Sequence, residues 1–171
     1  MTDIIQEATE NPVTAYLKTV SLGVATFHDA RTGRENWKYL SYEAAVLALG
    51  KPYTGSPRPP AMHRRTPKQC FMNSYRMSKR HPNLVYCEGY AVSHISPLPV
   101  QHAWLIDMNT GKVVDLTWEH PSGASYHGIL IDEETLDILA LKHGVYGVLG
   151  NDYLLDAPLL RYGTFLPPAT S

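Results

Sequence analysis

Cysteine is scarce in this chain: two among 171 residues, Cys70 and Cys87, with no CxxC pair. That excludes a disulfide framework and the usual cysteine-rich zinc modules, and it is the usage expected of free thiols in a reducing compartment. No apolar run approaches the roughly 20 residues that span a bilayer, so no membrane partner is expected. The first ten residues, Met1 to Glu10, are acidic and lack the apolar core of a signal peptide, and a cytoplasmic location is expected. HExxH and EF-hand spacings are missing, so the reading assigns no metal and no cofactor. Repeats and low-complexity tracts are absent too. Acidic residues are missing from one long interval: between Glu43 and Glu88 there are none, whereas Lys51, Arg58, Arg64, Arg65, Lys68, Arg76, Lys79 and Arg80 place 8 positive charges there. The formal net charge is −1, so the rest of the chain carries −9, with 7 basic residues against 16 acidic ones. Such a block is either a solvated basic face or a means of attracting an anionic partner.

A length of 171 residues with 44% hydrophobic and 18% charged residues suits one globular domain able to bury its own core. It is expected to divide into N-terminal helices and a proline-rich arm (1–60), a catalytic core (61–131), and a C-terminal helix and tail (132–171). Asn11-Pro12 opens an amphipathic helix, and Ser41 caps a second that stops at Gly50. Residues 51–60 contain four prolines and a glycine, and are expected to form an extended covering arm. A helix follows over about Gln69 to Arg80, with Phe71, Tyr75 and Ser78 on one face and Cys70, Asn73 and Met77 beside it. The period then changes to that of strands, over Leu84 to Ala91, Val100 to Met108, Lys112 to Thr117 and Tyr126 to Ile131. Asn109-Thr110-Gly111 is the turn of a hairpin. Asp132 caps a helix that closes at Lys142-His143-Gly144, and the tail is expected to be irregular. A helix followed by an antiparallel meander, with helices flanking it, is an α+β architecture.

The order cysteine, histidine, acid is the informative feature. A thiol attacks a carbonyl as the thiolate, which a helix N-terminus, basic neighbours and an imidazolium each favour. Cys70 falls at a helix start inside the basic block. His102, on a strand, is suited to take a proton and later return it to a leaving amine. A carboxylate on its other nitrogen would fix tautomer and orientation. Asp107 lies five residues after His102 and points to the opposite face of a regular strand. A turn centred on Thr110-Gly111 pairs residues whose numbers sum to roughly 217–221, which sets His102 across from about 115–119 and favours Asp115. Trp104 and Trp118 are expected to wall the site.

These residues carry a resemblance. Cys70 at a helix start, Glu88-Gly89-Tyr90 on a strand, His102-Ala103-Trp104 on the next and Asp115-Leu116-Thr117 after it resemble the transglutaminase-like (papain-like) cysteine-enzyme core over residues 66–118, including its small phage- or bacteria-encoded versions. Two departures stand out: Phe71 follows the cysteine where the family usually has tryptophan, and Leu116 replaces the proline of Asp-Pro-Thr. The resemblance implies a Cys70-His102-Asp115 triad and amide chemistry through a thioester: protease, deamidase or acyltransferase. It implies a protein or peptide substrate and leaves the substrate's identity and the oligomeric state open. An oxyanion hole would use the Cys70 backbone N–H and a second donor, for which Gln69 is a candidate.

Plainer readings stand beside these. A lone helical cysteine is commonly a core residue, as Cys87 is expected to be in mid-strand. Gly89 marks close backbone approach, and Tyr90 is packing or a substrate wall. The alternative to an enzyme is an inactive transglutaminase-like interaction module that holds an acidic partner or nucleic acid through the 51–80 block. Aromatic residues do not interleave with the basic ones in an RNA-binding pattern, so nucleic acid is not the expected partner.

Overall fold

The computed structural model describes residues 10–27 and 33–168, so the reading of the first nine residues lies outside the described part. Its fold is α+β. Helix α1 (Pro12–Phe27) is capped by Asn11, whose Oδ1 accepts from the N–H groups of Val13 and Thr14. Helix α2 (Tyr42–Leu49) is capped by Ser41, which accepts from Ala44 at 3.2 Å, and it ends at Gly50. Caps of this kind contribute about 1 kcal/mol each. Five antiparallel strands follow: β1 (Lys51–Thr54), β2 (Leu84–Ser93), β3 (Ser96–Asp107), β4 (Val113–Val114) and β5 (Ser125–Leu130). Helix α3 (Cys70–Ser78) lies between β1 and β2 in sequence, and α4 (Glu133–Asp137) and α5 (Pro158–Tyr162) follow the sheet. No helix of the described residues is long and apolar enough to cross a membrane.

The sheet order is β1-β5-β2-β3-β4, which corrects the simple meander. Only β2-β3-β4 meanders. β5 crosses back to pair with β2 and forms the bridge to β1, which lies within the stretch read as an unpaired arm. Pro52 is tolerated there because β1 is an edge strand with no ladder on its outer side. Two further expectations are corrected. The strand at 112–117 shrinks to Val113–Val114. The tail is partly helical, with a 3-10 turn at Asp152–Leu155 before α5.

The sheet has a helix-bearing side and an aromatic side. Alternation puts Tyr86, Glu88 and Tyr90 of β2 with Gln101, Ala103 and Leu105 of β3 on the first. There α1, α2 and α5 pack Val13, Leu17, Val46, Leu159 and Leu160 around Tyr90, while Cys70 of α3 packs with Tyr86 and Ala103. Cys87, Ala91, Trp104, Ile106, Val113 and Tyr126 form the second side. Gly89 and Gly128 pair across β2 and β5 within it, and a Cβ on Gly89 would come 2.2 Å from the His127 carbonyl. One on Gly128 would strike the Trp104 ring at 2.5 Å. The glycines therefore let the large indole lie flat on the sheet beside His102.

Of the two stripes on α3, the one that holds Cys70, Asn73 and Met77 is the one buried. The helix's buried positions are Cys70, Asn73, Ser74 and Met77, whereas Phe71, Tyr75 and Ser78 are only half-buried. Spacing alone could not choose between the two stripes because Tyr75 and Ser74 compete for the same turn. Ser74 is small enough to sit against the sheet, and Tyr75 instead swings out to donate to Asp137 Oδ1 at 3.0 Å.

Candidate active site

The hairpin between β3 and β4 pairs Leu105 with Val114 and Ile106 with Val113, a register whose sum of 219 lies inside the expected window. Pairing stops there for a local reason. The Asp115 carboxylate turns back on its own chain, and Oδ1 accepts from Thr117 N at 2.7 Å and Trp118 N at 3.1 Å. An aspartate that satisfies two following N–H groups competes with the strand ladder and converts it into a turn. The same turn aims Oδ2 at β3. It meets His102 Nε2 at 2.8 Å and accepts from Tyr126 OH at 3.0 Å. All four bonds lie on a fully buried carboxylate.

His102 is thus held on one nitrogen. Its ring is sandwiched on the aromatic side, with Trp118 stacked at 4.2 Å and 17° and Trp104 nearly parallel at 6.3 Å. Cys70 packs on Ala103 from the helix-bearing side, yet beside the stretch of β3 that β4 leaves unpaired its thiol lies close enough to the His102 ring to act on the ring's proton affinity, without a bond that meets full hydrogen-bond geometry. Burial alone would lower the His102 pKa. The Asp115 bond, the thiol and the Asp115 charge outweigh it and raise the pKa to about 9. For Asp115, burial pushes upward, but the His102 bond and charge and the two backbone N–H groups hold it below the ordinary carboxylate value. Both shifts favour an imidazolium paired with a carboxylate at neutral pH.

Cys70 is the first residue of α3. The first helical N–H bond runs from Asn73 to the Gln69 carbonyl, so the N–H groups of Cys70, Phe71 and Met72 precede the helical ladder and face outward as donors. Lys68, at φ +62°, holds the left-handed backbone that β-carbon residues rarely adopt, and it sharpens the turn into the helix. Gln69 is exposed beside Cys70, and its side chain caps nothing. Cys70 retains 7% exposure, whereas Cys87 has none, and burial, ahead of all other influences, pushes the Cys87 thiol well above its usual value.

Three partners of the site were not read from the sequence. Asn73, one turn after Cys70, donates through Nδ2 to Thr117 Oγ1 at 3.0 Å and to the Thr66 carbonyl at 2.8 Å, tying the cysteine helix to the aspartate turn. Arg58, from the proline-rich arm, donates Nε to the Asp115 carbonyl at 3.0 Å and Nη2 to the Trp118 carbonyl. Tyr126 supplies the second bond to Asp115 Oδ2 from β5. A buried polar residue three positions after the cysteine was a usable signal for Asn73. Nothing local marks Tyr126 or Arg58, because their partners are distant in sequence.

No family model, curated protein or solved structure matches the chain.

The expected walls are redistributed. Trp118 is half-buried and borders a cavity of about 410 Å³ with His94, Ile95 and His120, so it has surface to offer a ligand. Trp104 is fully buried and serves as the floor under His102, not as a wall. Tyr90 is on the helix-bearing side, where it donates to Glu43 Oε1 at 2.8 Å, and is removed from the walls as well. Asp107 is in the hairpin turn, bonded to Asn109, Thr110 and Asn83, and does not approach the histidine. Among the described residues, no three His, Cys, Asp or Glu side chains converge in a group able to hold a metal ion.

Proposed function

We propose that this chain is a cysteine-dependent enzyme of amide chemistry built on a transglutaminase-like core, with Cys70 as nucleophile, His102 as acid and base, and Asp115 as the orienting carboxylate. The observation that carries the reading is the environment of His102: Asp115 occupies Nε2 at 2.8 Å, while the Cys70 thiol acts on the same ring. With Nε2 bonded, Nδ1 is the nitrogen left to exchange a proton with the thiol and substrate. A ring that holds its proton at neutral pH pairs naturally with a thiolate.

The thiolate adds to the amide carbonyl carbon, forming a C–S bond and moving the π pair onto oxygen. That oxyanion lies over the helix-start donors at Cys70 and Phe71. The imidazolium gives its proton to the amide nitrogen as the C–N bond breaks, and an amine or ammonia leaves. Water, or an acceptor amine, then attacks the thioester while His102 takes its proton. The C–S bond breaks and the thiolate returns. Cleavage, deamidation and acyl transfer differ only in the amide attacked and the nucleophile that resolves the thioester.

Alkylation tests the reading. Iodoacetamide near pH 6 is expected to modify Cys70 at least about a hundredfold faster than Cys87, because an ordinary thiol is under about 1% ionised at that pH. Peptide mapping of the alkylated protein over time gives both rates from one sample. Equal, slow labelling of both cysteines removes the nucleophile, and with it the enzyme.

A further inference from the structure

The charges of the acid-free basic block take no step in the mechanism above. Lys68 sits in the turn into α3, and the other seven members fall into two groups. Lys51 lies over the Tyr53 ring at 5.3 Å, and Arg58 is bonded to two carbonyls. Arg64 meets Glu119 at 3.4 Å and the Thr117 carbonyl at 3.1 Å, and Lys79 pairs with Glu133 and Asp137. These four charges are engaged. Among the described residues, no carboxylate lies within ion-pair distance of Arg65, Arg76 or Arg80. Those three line one recess, together with Gln69 and, among its apolar residues, Met72 and Met77.

We propose that this recess is a binding site for a single oxyanion, a phosphate or carboxylate group. Its volume of about 180 Å³ suits one such group. No acidic residue lines it, so the three arginines of its lining have no carboxylate partner there. The helix dipole accounts for a positive charge near the end of α3, where Arg76 lies, but not for Arg65, which arrives from a separate loop. Both walls are fixed. The Arg65 backbone N–H is bonded to the Leu116 carbonyl at 2.7 Å, and Asn73 holds the adjoining Thr66 carbonyl. Guanidinium forks in a fixed frame match the paired oxygens of phosphate and carboxylate, which a solvated lysine face does not. The recess is small and has no aromatic residue for base stacking, which favours a single anion over a polynucleotide.

Titration calorimetry of the whole chain with sodium phosphate, against sodium chloride at matched ionic strength, tests the site. Saturable binding is expected with phosphate alone. Arg76→Ala with Arg80→Ala is expected to weaken it at least about tenfold, and Arg76→Lys with Arg80→Lys, which keeps charge but loses the fork, is expected to weaken it measurably. A phosphoserine peptide and its unphosphorylated form identify the source: tighter binding of the former than of free phosphate means that the oxyanion arrives on a polypeptide, and equal binding means a free ion. The same heat with chloride, indifference to the double variants, or affinity that climbs with the length of an oligothymidylate would each overturn the proposal.

Discussion

Asp115 and Glu88 are both fully buried carboxylates of the β2–β4 region, and their protons are handled in opposite ways. Asp115 faces an imidazolium and is held low. Glu88 is on the helix-bearing side, where it accepts from Val148 N at 2.7 Å, Leu149 N at 2.8 Å and Tyr86 OH at 2.9 Å. Burial outweighs those three donors and pushes Glu88 up to about 7. For Glu88, three hydrogen bonds do not offset burial; for Asp115, the bond and charge of His102 together with two backbone N–H groups do. The difference separates a site in which an acid holds a charge on its neighbour from a strut in which an acid anchors a loop. The loop anchored is 145–150, whose Gly147 packs against Phe71 beside Cys70, so Glu88 reaches the site by positioning.

The largest expected effect comes from breaking the charged member. Asp115→Asn keeps an oxygen for the N–H groups of Thr117 and Trp118 but leaves His102 without its anion. Removing one partner of a buried pair costs about 3–5 kcal/mol, to be read from urea unfolding at pH 6. Alkylation of Cys70 at the same pH is expected to slow by roughly two orders of magnitude, since the imidazolium that favours the thiolate is lost. Unchanged labelling of a folded Asp115→Asn protein would leave Asp115 as a structural residue like Glu88.

pH resolves the two regions next. His102 is raised from 6.5 to about 9, so its contribution to stability is fully present below about pH 6.5 and is lost as pH rises toward 9. Glu88 is raised from 4.5 to about 7: in that interval the folded protein retains a proton that the unfolded chain has released, and stability falls as pH rises from about 4.5 to 7. Each shift corresponds to about 3 kcal/mol across its window. Asp152, raised to about 6, overlaps the lower window, so the comparison is made against Glu88→Gln and not in the wild type alone. Denaturation of the two proteins between pH 4.5 and 7 should show the wild type losing about 3 kcal/mol relative to the variant, with the fall above pH 7 kept in both. A wild-type profile parallel to that of Glu88→Gln would mean that Glu88 is charged throughout.

How much of this was legible depends on the range of each interaction. The caps at Asn11, Ser41 and Asp132 are local, and so is the β3–β4 register, because a turn fixes pairing within a few residues. Cys70, His102 and Asp115 could be named because two of them are joined by that hairpin. The place of β5 between β1 and β2 could not, since residues 51–54 pair with 125–128 across the whole core. The proline-rich appearance of residues 51–60 concealed a strand whose partner was out of view. The buried stripe of α3 depended on which small residue met the sheet, and the premature end of β4 on where one carboxylate turned. Glu88 was visible only as part of a motif, because the backbone donors that hold it lie about 60 residues away.

The smallest effect sharpens the choice of acid. Asp107→Ala removes the carboxylate nearest to His102 in sequence and leaves Asp115 untouched. Asp107 sits at the surface, where its oxygens serve the turn through Asn109 N at 3.0 Å and Thr110 Oγ1 at 3.0 Å and reach Asn83 at 3.2 Å. Those bonds hold its carboxyl below the ordinary value, led by the Asn109 N–H, so what is lost on substitution is turn order. A slight fall in melting temperature is expected, with no change in the Cys70 alkylation rate between pH 5 and 8. That invariance has a physical basis: five residues along a strand put Asp107 on the opposite face from His102, with Ile106 and Val113 between the turn and the imidazole. A tenfold drop in labelling in Asp107→Ala would mean that the hairpin tip sets the position of Asp115, and the acid turn would then be far less self-supporting than its four hydrogen bonds imply.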